Sequence, residues 1–120
     1  MLKSLWMLSL LSVSAISQQA LAAELTGEWA NEPNECDQMR VIYADDGQHL
    51  TKINVEGIWQ LINENEWYRE GDEVFIRSPA HVAEWTIERL DEEELHMVNQ
   101  DPEAVELGAG EAQFYRCDPR

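Results

Sequence analysis

Beyond its first two dozen residues, the chain has no window of ten or more residues with a clean apolar period of 3.6. Apolar side chains alternate instead with polar ones, in short runs bounded by Asp, Gly and Pro, which is the spacing of half-buried strands. Residues 25–30 give a first strand. In 38–44, Met39, Val41 and Tyr43 fall on one face, with Arg40 and Ala44 opposite. Asp45-Asp46-Gly47-Gln48 is a turn, because Asp and Gly tolerate left-handed backbone. Residues 49–55 follow with Thr51, Ile53 and Val55 in phase, and Glu56-Gly57 marks a tight turn or a bulge. Residues 58–62 and 67–70 read as two further strands, and Gly71-Asp72 turns the chain into 73–77. Pro79 ends that strand, since proline cannot donate to a ladder. Residues 80–83 read as a loop or one helical turn. Residues 85–90 and 94–98 form a hairpin across Asp91-Glu92-Glu93. Residues 102–110 read as a loop with a helical turn at 103–107, and 112–117 is the last strand. About eight short, regularly spaced strands, with no repeat or linker, predict an all-β chain folded as one small antiparallel up-and-down barrel.

The N-terminus reads as an address. Lys3 gives a positive start, residues 5–16 are mostly apolar, and Ala20-Leu21-Ala22 fits the small-x-small cleavage rule of a secretory signal peptide. The apolar run is short for a membrane span. The expectation is a leader at 1–22 and a single barrel domain at 23–120, exported by a bacterial cell to the periplasm or the medium. No Cys follows Ala22 to take a lipid, and no second apolar run has spanning length, so no membrane anchor is expected after cleavage.

Charge then narrows the partners. The 120 residues carry 8 Lys and Arg against 24 Asp and Glu, a net charge of −16. Removing 22 residues leaves 98, and with Lys3 gone the balance is 7 against 24, or −17. Nucleic acid and anionic membrane surfaces both demand clustered cations, so neither is an expected partner. A surplus of carboxylates serves solubility, suits a saline exterior, or attracts a basic partner protein.

A chain this short buries only about two thirds of its unfolded surface, so its stability margin is thin. An oxidising compartment offers a remedy in the two cysteines, Cys36 and Cys117. Pairing within the chain is expected; two free thiols or a bond between chains are the alternatives. The bridge would tie the start of the fold to its end and contribute roughly 4–5 kcal/mol in the chain-entropy account.

Several segments, in order, carry a family resemblance. Leu25-Thr26-Gly27-Glu28-Trp29 resembles the Gly-x-Trp signature of lipocalins. Val41-Ile42-Tyr43-Ala44-Asp45-Asp46-Gly47 looks like the strand-turn element of small bacterial lipocalin-like domains, and Trp67-Tyr68-Arg69-Glu70-Gly71-Asp72-Glu73-Val74 resembles their central aromatic hairpin. Trp85-Thr86-Ile87-Glu88-Arg89-Leu90 with Glu94-Leu95-His96-Met97 resembles the penultimate hairpin, and Phe114-Tyr115-Arg116-Cys117 the aromatic-then-Arg finish. The resemblance implies that Trp29 packs across the closed end of a barrel whose interior takes a small ligand. True lipocalins are longer and carry a flanking helix for which this chain has no room.

Residue types exclude most chemistry. Ser78 is the only Ser after the leader, in Arg77-Ser78-Pro79, without nucleophile-elbow glycines. The thiols are expected to be consumed by the bridge. Carboxylates are so abundant that no pair stands out, and a small barrel offers no deep cleft to separate their pKa values. His49, His81 and His96 lack metal-ligand spacing, and His96 should face opposite to Leu95 and Met97. Asp91-Glu92-Glu93-Glu94 reads as a solvated turn rather than a calcium loop. No catalytic residue, metal or cofactor is expected.

The aromatics are the informative group. Trp29, Trp59, Trp67 and Trp85 are many for so little core. Core packing is their default role, with Trp29 structural. As lining of an open mouth, Trp59 and Trp67 are the first candidates, with Tyr43, Trp85 and Phe114. The leading expectation is an exported, non-enzymatic barrel binding a small, partly apolar molecule. The alternative is an acidic module that binds or inhibits a basic exported protein.

Overall fold

The computed structural model describes residues 24–118, so the expected leader lies outside the described residues. Eight strands form a closed antiparallel barrel in sequence order: β1 Gly27–Ala30, β2 Met39–Tyr43, β3 Gln48–Val55, β4 Ile58–Glu70, β5 Glu73–Arg77, β6 Val82–Leu90, β7 Glu94–Asn99 and β8 Glu111–Arg116. One short helix, α1 Pro102–Glu106, precedes β8, with Asp101 accepting the Glu103 N–H as its cap. The all-β up-and-down architecture expected from the alternation is the one observed.

The inner face follows from register. Tyr43 lies opposite His49, and Trp29 opposite Val41 and Arg116. All but Arg116 are buried among Leu25, Val74, Ile87, Leu95 and Met97. Trp29 is completely buried and donates its indole N–H to the Leu25 carbonyl at 3.0 Å. The Arg116 guanidinium lies 4.2 Å from the Trp29 ring centroid, donates to the carbonyls of Glu24, Thr26 and Glu92, and pairs with Asp118. Trp29 therefore fills one end of the barrel, and a desolvated cation seals it.

Ring closure depends on a short seam. β1 pairs with β8 through only Trp29–Arg116 and Ala30–Tyr115. The Cys36–Cys117 disulfide reinforces it, joining residues 81 apart in sequence whose Cα atoms are 5.6 Å apart. Beside it the Cys117 N–H donates to the Glu28 carbonyl at 2.7 Å.

Two strand boundaries differ from the expectation. Residues 58–62 and 67–70 are one thirteen-residue strand, β4, because Asn63 and Asn65 continue the ladder opposite Thr51 and His49. Pairing with a long neighbour overrides the poor strand preference of the Asn-Glu-Asn-Glu run. Likewise β6 starts at Val82, paired with Arg77, where a loop or helical turn was expected.

Candidate functional site

Four of the five aromatics expected to line a pocket share the barrel interior. Tyr43 is fully buried, and burial pushes its phenol pKa well up. The Trp67 ring meets Tyr43 edge-on at 5.3 Å, and its indole N–H donates to the Ala44 carbonyl at 2.8 Å. Trp85 and Phe114 are half-buried against the same core. His49, at 9% exposure, packs its ring edge on Tyr43 at 4.8 Å, and its Nδ1 has no partner among the described residues. Burial lowers the His49 pKa to about 4, which keeps the imidazole neutral at pH 7.

Trp59 stands apart. It is eight residues from Trp67, and in an unbroken strand an even spacing puts both on one face. The register breaks between Thr51 and Lys52: Thr51 opposes Asn63 and Lys52 opposes Leu61, so Ile62 is an extra, bulged residue. The bulge reverses the phase and turns Trp59 to the outer face. There the Arg40 guanidinium lies 5.1 Å from its ring centroid. Arg40 pairs with Glu28 at 3.3 Å and donates from Nε to the Cys36 carbonyl at 2.6 Å. Glu28, Arg40, Ile42, Lys52 and Trp59 line a small outer cavity of about 180 Å³.

Beyond this cavity the β3–β4 hairpin carries most of the exposed large apolar residues. Ile58 is 66% exposed, Ile62 54%, Leu61 50% and Val55 41%, with Trp59 beside them at 39%. Isolated exposed apolar residues are ordinary, but five within eight residues of one hairpin, Val55 and Ile58 on one face and Trp59 and Leu61 on the other, mark a contact surface. The hairpin closes through Glu56 and Gly57, both at positive φ, a two-residue turn that matches strand twist. Sequence reasoning did not single out Ile58, Leu61 or Ile62. The signal was present in Ile58-Trp59-Gln60-Leu61-Ile62, which is apolar on both strand faces where a one-sided strand alternates.

The remaining candidates have local partners. The Asp91 carboxylate accepts the backbone N–H groups of Glu93 and Glu94 and a bond from Arg89, which together hold its pKa below the usual range. The acidic run is thus a hydrogen-bonded turn. Ser78 Oγ lies 3.1 Å from the His81 carbonyl, to which it donates. Leu95 and Met97 are buried while His96 turns outward, 3.9 Å from Glu111. Among the described residues no group of three or more His, Cys, Asp or Glu is placed to hold a metal ion.

The class defined by this geometry is a small closed antiparallel β-barrel, cross-linked by one disulfide, with an exposed apolar hairpin where β3 and β4 run past β5. Compared with protein-family models, with curated proteins and with solved structures, the chain matches none.

Proposed function

We propose that this protein is an exported, lipocalin-like barrel without enzymatic activity that binds a basic partner protein through the β3–β4 hairpin. The observation that carries the reading is the exposed cluster of Val55, Ile58, Trp59, Leu61 and Ile62 on an otherwise acidic molecule. Apolar side chains supply the area removed from water, and the surplus of carboxylates steers a cationic partner and raises its on-rate. Export agrees with the disulfide, which persists in oxidising compartments. The test is capture of exported proteins on the immobilised mature chain at low and at high salt. A basic protein retained at low salt, released at high salt and lost with Ile58→Ser plus Leu61→Ser supports the reading. Equal capture by that variant counts against it.

A second reading, a small partly apolar ligand inside the barrel, is favoured by the unpartnered His49 Nδ1 beside Tyr43 and by the half-buried Trp85 and Phe114. Such a ligand would quench indole fluorescence in the Trp59→Phe variant of the chain without residues 1–22, whose remaining tryptophans, Trp29, Trp67 and Trp85, all belong to the barrel. An unchanged spectrum across fatty-acid, aromatic and terpenoid probes would sink it.

A further inference from the structure

β4 runs far past its neighbour. It pairs with β5 only from Glu66 to Glu70, whereas it pairs with β3 from Ile58 to Glu66. Residues 58–65 therefore have one paired edge and one free edge, about 26 Å long at the usual strand rise. No described strand covers the free edge.

Register identifies the backbone groups on that edge. The Asn54 N–H points at β2, donating to Gln38, so Ile53 and Val55 face β4 and form hydrogen-bonded pairs with Gln60 and Ile58. Trp59 and Leu61 then turn their N–H and C=O groups outward. Across the bulge, Trp67 donates to Gly47 on the β3 side, which places Asn63 and Asn65 in the ladder and turns Glu64 outward. Natural edges are commonly guarded by Lys, Pro or a bulge. Residues 58–65 contain neither Lys nor Pro, and the bulge at Ile62 leaves the four residues 58–61 as a regular stretch.

Charge selects the occupant. Glu56 stands at the hairpin tip and Glu64 on the free strand; of the nearby cations Arg77 is engaged by Glu66 and Arg40 by Glu28, and Lys52 lies opposite Leu61 on β3. A second copy of the chain would bring its own net charge of −16 against the first.

We infer that the free edge of β4 takes an extended segment of a partner protein, alternating apolar and basic residues, as an added strand. The backbone of Trp59, Leu61 and Glu64 provides the hydrogen bonds. The apolar side chains of the incoming strand meet Trp59 and Leu61 on one face, and its cations emerge on the other face in the field of a molecule of net charge −16. This mode rests on the protein-binding reading above and specifies how the hairpin performs it.

The experiment uses the mature chain and a synthetic nonapeptide of alternating Lys and Val, with a Glu/Val peptide as control. Amide hydrogen exchange and fluorescence anisotropy are read in parallel. The expected result is binding of the Lys/Val peptide alone, weakened by salt, with added protection at the Trp59, Leu61 and Glu64 amides. Leu61→Pro removes an outward N–H and leaves the β3 ladder intact, so it should weaken binding about tenfold or more. Leu61→Lys, which keeps the N–H and adds an edge charge, serves as a second variant should the proline disturb folding, and it too should weaken binding. No binding by the Lys/Val peptide overturns the inference. So does binding unaffected by either variant, or protection confined to amides away from the edge. Protection of the same amides without peptide, with a concentration-dependent dimer, overturns it in favour of a second copy. Salt-sensitive capture of a basic protein alongside any of these failures leaves the protein-binding reading standing and removes only strand addition.

Discussion

His49 is a basic group held neutral inside a protein rich in acids. Its folded pKa of about 4 lies below the unfolded value near 6.5. Above pH 6.5 neither state binds the proton, and the full stability is present. As pH falls from 6.5 towards 4 the unfolded chain takes up a proton that the folded chain refuses, so stability is lost across that window, by up to about 3 kcal/mol. In His49→Leu this part of the acid sensitivity should disappear. Urea midpoints measured between pH 7.5 and 4 should fall more steeply for the wild type, and parallel curves would refute the assignment. The unpartnered Nδ1 gives the same substitution a second expected effect, a gain in stability at pH 7, because an apolar side chain carries no unmet hydrogen bond.

At the scale of elements, the β3–β4 hairpin is governed by two local devices. Gly57, at φ +87°, has open space around its missing Cβ, so Gly57→Ala is strained by backbone conformation alone, at about 1 kcal/mol. Because the tip projects beyond the barrel, the expected outcome is local: faster amide exchange at Val55 and Ile58 with a thermal midpoint nearly unchanged. The bulge at Ile62 is the other device. Deleting Ile62 should give an unbroken ladder with the same β3 partners, in which Trp59, now seven residues from Trp67, still faces outward, so the ring-current shift on the Arg40 side-chain protons should persist. Loss of that shift would mean that the one extra residue is not what sets the face. These devices mark where the sequence stops being readable. Alternation at Met39, Val41 and Tyr43, or at Glu73 to Arg77, is dictated by one buried face, and the strands there fall within a residue or so of the expected bounds. Asn63 to Glu66 carry no such pattern, since their strand state comes from pairing with β3. The side on which Trp59 emerges depends on one unpaired residue, which no apolar count reveals. The exposed cluster was legible in composition yet not in direction.

Across the whole molecule, the dominant constraint is the cross-link. Cys36→Ser with Cys117→Ser, or reduction of the wild type, should lower stability by roughly 4–5 kcal/mol, because the loop it closes spans most of the described chain. For a domain of this size that is about 20 °C in thermal midpoint, measured by calorimetry with and without reductant. A shift below about 5 °C would show that the closed sheet holds without the bond.

The two-pair joint between Trp29–Ala30 and Tyr115–Arg116 has a consequence for where this polypeptide can safely exist. A ring fastened so narrowly, once its covalent latch is open, can uncurl into a ribbon with two raw flanks in addition to the one already bare along β4. Raw flanks recruit one another. Synthesis in a thiol-rich cytosol should therefore give insoluble material at concentrations where the oxidised protein stays clear, and the redox state of its surroundings becomes the condition that separates a discrete particle from an aggregate.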